Sequence, residues 1–309
     1  MRELVLLLPG LFLNAEAVSA LGTWRFAKSP RLEGGWRFAF ARSLGRDDLA
    51  HASPASVVAA SAELPSDAWL ATPLHLIAGL TTLHLPAEGV LRLSAEEARE
   101  LAVRFASTFG SDGLILHPFD DGSLLLSGLN VGAAQTVDPA VLSEQAAAQG
   151  LASAQPIGEG AASLRALMTE IEMWLHDLPL NREREQAGLP SIRSLWLWGG
   201  GGSAAPVMRD HRSVRESAAK TLSLGDASSL GVHTQDPWAR ACCRLAGIDC
   251  QPLDPSAEFF AGIAAKLARG ELSRLTLVTT DRAVSVSPAD RWRFWRPRRT
   301  ALAALLAGA

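Results

Sequence analysis

Leu164, Leu167, Met168, Ile171, Trp174, Leu175 and Leu178 follow one another at steps of three and four residues. That spacing returns side chains to one face of a helix, so about 160–178 is predicted helical, with Pro179 as its stop. Ala98, Leu101, Ala102 and Phe105 share a face in the same way and predict an amphipathic helix over about 95–108. Ser94 and Glu97 frame its start as a capping box, because each side chain can satisfy an orphan N–H of the first turn. Leu4 to Leu8 is a short apolar run stopped by Pro9-Gly10, the pattern of a buried strand entering a turn. Two further runs, 113–119 and 123–129, flank Asp120-Asp121-Gly122 and predict a hairpin, since glycine tolerates the positive φ the turn needs. Residues 72–85 read as two short strands broken at Ala78-Gly79, and a shorter helix is expected after Asp138-Pro139. Leu195-Trp196-Leu197-Trp198 reads as a strand running into four glycines. Beyond it, helices at about 237–247 and 255–269 alternate with strands at about 248–253 and 275–279, which is the pattern of an α/β chain. The rest of the first 90 or so residues is poorly periodic.

Composition adds bounds. The chain has 309 residues, 48% hydrophobic and 20% charged, enough for a large core and unlike a disordered polymer. A net charge of −3 argues against a generic nucleic-acid coat. No apolar run reaches the roughly 20 residues of a membrane span. The opening residues have a signal-peptide outline, with Arg2, an apolar stretch and Ala17-Val18-Ser19-Ala20. Glu3 and Pro9-Gly10 speak against it and favour the strand. The three cysteines, Cys242, Cys243 and Cys250, form no C-x-x-C pair and fit reduced thiols and a cytoplasmic protein.

The stretch from Asn181 to Gly202 carries the candidate chemistry. An asparagine, Arg182 and Arg184 beside a helix end, and a strand entering glycines make a plausible anion site. Arginine offers a planar fork to phosphate or carboxylate, and glycine admits a ligand close to the backbone. The alternative is a solvated loop and a flexible turn. It is not a phosphate-cradling P-loop, since no Gly-Lys-Ser/Thr follows. Glu172 and His176 stand four apart on one helix flank, a pair that could ligate a metal but reads more simply as a solvated surface pair, and His75 reads as a satisfied, half-buried strand histidine. Arg291 to Arg299 interleaves arginine with Trp292, Phe294 and Trp295, a pattern that suits nucleic-acid bases or a membrane interface as well as an edge strand.

Asn181-x-x-Arg184, Gly188-x-Pro190 and Trp196-x-Trp198-Gly199-x-Gly201 resemble the N-x-x-R…G-x-P…W-x-W-G-x-G stretch of cofactor-independent phosphoglycerate mutases of the archaeal type. The whole chain looks closest to the RpfE-type regulatory proteins, a bacterial group related to them. The resemblance is specific over about a third of the chain. It implies an α/β fold with a reduced, alkaline-phosphatase-like three-layer core over 1–90 and 215–309, and an inserted α+β domain over 91–214. It also implies a pocket for a phosphorylated or anionic small molecule at Asn181, Arg184, Trp198, Gly199 and Gly201. Active members of that family hold two metal ions on Asp and His ligands and use a phosphorylated serine. This chain departs from them. Its first strand ends in Pro9-Gly10 rather than Asp-Gly, its late strand runs into Asp281 with no histidine after it, and Ser53 and Ser56 are nucleophile candidates by composition alone. The expectation is a protein with no catalytic residues, metal or cofactor, acting as a regulator or ligand binder. A working mutase or phosphatase, and a nucleic-acid or membrane-surface binder using 291–299, stand as alternatives.

Overall fold

The computed structural model describes residues 2–9, 20, 23–24, 31–32, 34–78, 83–86, 88–131, 133–139, 141–142, 154–200, 222, 224, 229–291 and 300–301. In chain order the main elements begin with β1 Arg2–Leu7, α1 Gly35–Ser43, α2 Asp47–His51 and α3 Pro54–Ser61. Next come β2 Trp69–Leu74, α4 Ala95–Phe109, β3 Ile115–Pro118 and β4 Leu124–Ser127. They are followed by α5 Ala161–His176, α6 Pro179–Gln186, β5 Ser194–Trp198 and β6 Leu230–Thr234. The last are α7 Pro237–Ala246, β7 Asp249–Pro252, α8 Ala257–Ala268, β8 Leu272–Val278 and β9 Ala283–Val286. The chain divides into two compact units, Met1–His51 with Arg212–Ala309, and Ala52–His211.

The first unit is mixed α/β. Its sheet runs β7-β6-β1-β8-β9, with β7, β6, β1 and β8 parallel and β9 antiparallel at the edge. Strand β1 is central, with Leu7 opposite Thr234 on one side and Val278 on the other. Leu4, Leu6 and Leu8 pack with Phe260, Ile263 and Leu267 of α8. Val5 and Leu7 point the other way and are equally buried. A parallel strand covered on both faces needs apolar residues without alternation, which is why this segment reads as a plain leucine run. Asp236 caps α7, its carboxylate accepting from Ala239 N–H, with Pro237 in the first turn and Gly247 in the left-handed region after the last.

The second unit is α+β. Its antiparallel sheet runs β5-β2-β4-β3. Helix α4 packs on β3 and α5 on β5. Phe105 and Phe109 of α4 stack at 4.5 Å and meet the edge of Trp174 from α5. The capping box at Ser94 and Glu97 forms in full, and the expected hairpin closes through Gly122 at φ 79°.

Several expectations change. The boundary between units falls after His51, earlier than the expected 90, because β2 pairs with both β4 and β5 and carries residues 52–90 into the second unit. The poorly periodic region holds α1, α2 and α3. Pro179 does end one helix, but it also opens the next, since a proline at the first helical position has no N–H to lose. The expected helix after Pro139 lies mostly outside the described residues, as does the 291–299 run apart from Arg291 itself.

Candidate functional site

The motif residues of the second unit organise the chain around β5. Asn181 and Arg184 share a face of α6 and are only 4% and 5% exposed. Asn181 Nδ2 donates to the carbonyls of Leu175 and Ile192, both at 2.8 Å, and Oδ1 accepts from Ile192 N–H at 2.7 Å. Three of the four hydrogen bonds an amide side chain can make are thus made to backbone. Arg184 Nε donates to Pro190 O at 2.8 Å, and its Nη1 pairs with Glu97. Glu97 in turn accepts from Ser94 N–H, so one carboxylate joins the start of α4 to α6. Together these contacts hold 190–192 ahead of β5.

Trp198 and Gly199 lie at the other end of that strand, whose five residues span about 13 Å. The structure therefore brings Asn181 and Arg184 together and leaves Trp198 and Gly199 apart from them. Trp198 Nε1 donates to Thr72 Oγ1 at 2.8 Å. Gly199 has φ 68°, and a Cβ there would stand 2.9 Å from that of Pro54. A Cβ on Gly200 would fall 2.4 Å from the Trp69 indole. Both glycines are thus required by the protein's own packing. Gly201 lies outside the described residues. Ser53 and Ser56 serve α3: Ser53 Oγ accepts from Ser56 N–H as the helix cap, and Ser56 Oγ donates back to Ser53 O. His75 Nδ1 bonds Ser191 O at 2.9 Å. Glu172 is half-buried, which holds its carboxyl above the usual range, and His176 is exposed.

The first unit presents the carboxyl ends of parallel strands, where open α/β sheets generally receive ligands. Strand β1 leaves through Pro9, which offers no side-chain donor or acceptor. Strand β6 leads to Asp236, and Arg37 holds that carboxylate in a two-pronged pair at 2.8 and 2.9 Å. The guanidinium of Arg37 lies 4.3 Å from the ring centre of Trp36 and 5.2 Å from that of Trp238. The two indoles meet edge to face at 5.6 Å. Strand β8 turns at Asp281, which lies 3.9 Å from Arg31 and 3.5 Å from Arg282. Strands β6 and β8 flank β1 and so run about 10 Å apart. Among the described residues no three His, Cys, Asp or Glu side chains gather as a metal site. His233 of β6 packs on Phe259, and burial lowers its pKa.

The assembly of Arg37, Trp36, Trp238 and Asp236 escaped the sequence reading. Its one local signal was Asp236-Pro237, a cap and first-turn pair; Arg37 lies 199 residues away.

No family model matches the chain, and no curated protein matches it. Among solved structures, the PH0037 protein from Pyrococcus horikoshii aligns over 97% of this chain and 91% of its own, at 11% identity and a TM-score of 0.41. A cofactor-independent phosphoglycerate mutase from Thermoplasma acidophilum DSM 1728 aligns over 93% of this chain and 90% of its own, at 13% identity and a TM-score of 0.36. At TM-scores this low the likenesses carry no argument about this chain.

Proposed function

We propose that this is a phosphoglycerate-mutase-like protein of the RpfE regulatory type, of alkaline-phosphatase ancestry, that binds a phosphorylated or anionic small molecule without a dinuclear metal centre. One observation carries the reading: the acidic tip of β6, Asp236, is already satisfied by both prongs of Arg37 and by the first turn of α7. A carboxylate so engaged would have to give up a charge-assisted pair before it could ligate a cation. With Pro9 at the tip of β1 and Asp281 facing two arginines, the described residues do not fit a pair of divalent ions. No reaction step is therefore assigned to a metal.

In this reading Asn181 and Arg184 act as the frame of the ligand site. They fix the approach to β5, and the anion would be met where β5 leaves through Gly199 toward Gly201. The motif resemblance in the sequence supports that placement.

The test is calorimetric titration of the full chain with 3-phosphoglycerate in EDTA, beside a mutase assay with added Mn²⁺ and metal analysis of the purified protein. Binding in EDTA with no turnover is expected. Two tightly held Mn or Zn ions per chain with Mn-dependent turnover would overturn the reading in favour of a working mutase. Failure to bind, with salt-sensitive RNA binding abolished by replacing the arginines of 291–299, would overturn it in favour of a nucleic-acid binder.

A further inference from the structure

Cys243 lies on the buried face of α7, and Cys250 is the second residue of β7. Between them Gly247 turns the chain back with φ 67°, and Ile248 N–H donates to Cys243 O at 2.9 Å. The return lays β7 against the end of α7. On β7, Asp249 and Gln251 are exposed and hydrogen-bonded to each other at 2.9 Å. Strand alternation then turns Cys250, between them, toward the helix. There the Cys250 and Cys243 side chains face each other across the turn and interact. Cys243 is fully covered, whereas Cys250 keeps partial exposure.

We propose that Cys250 and Cys243 form a peroxide-responsive thiol pair, with Cys250 as the attacking sulfur and Cys243 as the resolving one.

The neighbours divide the labour. The interaction with Cys243, helped by the positive charge of Arg240 and Arg244, lowers the pKa of Cys250 and favours its thiolate. The same interaction, with burial, raises Cys243, which stays a thiol until it is needed. Burial raises Cys242 as well, leaving it inert. The Cys250 thiolate attacks one oxygen of hydrogen peroxide. The O–O bond breaks, hydroxide leaves, and Cys250 becomes a sulfenic acid. The Cys243 sulfur then attacks the Cys250 sulfur, its proton leaves with the hydroxyl as water, and the S–S bond forms. The two thiols lose two electrons together, and one peroxide becomes two waters. The return at Gly247 already turns the two side chains toward each other, so closing to the roughly 2.05 Å disulfide length is expected to need only a local shift. The bond would tie the end of α7 to the edge strand of its sheet.

The full-length protein is exposed to hydrogen peroxide while folded, then denatured, alkylated and mapped by mass spectrometry. Alkylation is expected to fall from the three thiols of the chain to Cys242 alone. The mass should drop by about 2 Da before alkylation, a single linked peptide should join Cys243 to Cys250, and dithiothreitol should reverse both. Cys243→Ala should stop the reaction at sulfenic acid on Cys250, which dimedone traps. Cys242→Ser should leave the bridge intact, and it tests the pairing even if Cys243→Ala does not fold. Three alkylatable thiols after peroxide, a bridge to Cys242 or between two chains, or dimedone on Cys243 in place of Cys250 would overturn the proposal.

Discussion

Asn181 shows how one buried amide can set the course of a chain. It ties the end of α5 and the segment before β5 to α6 through three backbone hydrogen bonds. Asn181→Ala would leave two buried carbonyls and one N–H without that partner. A loss of about 2–3 kcal/mol is expected, read by urea denaturation. Asp236 has two tasks that substitution can separate. Asn keeps an oxygen to cap α7 but loses the ionic pair with Arg37, whereas Ala loses both. Asp236→Asn should destabilise, and Asp236→Ala should cost about 1 kcal/mol more, the usual value of a helix cap. Equal losses for the two variants would mean that the cap contributes nothing. The sequence displayed Asn181 and Arg184 plainly as an unusual pair. It could not show that their partners were backbone groups and the Glu97 carboxylate, because hydrogen-bond partners are assigned by folding.

Elements whose determinants are local were read correctly. The α4 capping box needs only residues three apart, and the hairpin between β3 and β4 needs only a turn that accepts Gly122. A Cβ at Gly122 would come 1.8 Å from Leu93 O, in addition to the strain of φ 79°. Gly122→Ala is therefore expected to cost more than the roughly 1 kcal/mol usual for such a φ, with a thermal midpoint lower by several degrees. The contact between Glu97 and Arg184 adds a tertiary role to a local motif. In a double-mutant cycle, Glu97→Gln and Arg184→Met should be coupled, whereas Ser94→Ala and Arg184→Met should be close to additive. Elements missed in the sequence, α1 to α3, are short, and their apolar faces are set by alanine as much as by large residues. Trp36, Ala39, Phe40 and Ala41 are buried on α1, a pattern too mixed to stand out by periodicity.

At the scale of the whole molecule, two histidines tie stability to pH. Burial lowers the pKa of His117, which bonds Ser127 Oγ at 2.8 Å, and of His233. In the unfolded chain each takes up a proton near pH 6.5, while the folded protein resists it. The unfolded state then binds more protons, so stability is fully present above about pH 6.5 and is lost as pH falls below it. Denaturation midpoints at pH 7.5 and 5.5 should show that loss, and His117→Gln should reduce it. The sequence by itself determined the α/β character of the chain, the buried first strand, the capped helix and the hairpin, because each follows from residues within one element or one turn. Only the tertiary structure decided that residues 52–90 join the second unit, that Arg37 meets Asp236, and that the space beside the glycines after β5 is filled by Pro54 and Trp69. Those outcomes depend on which distant segments pack together, and pairings across a hundred residues or more leave no periodic trace in either partner.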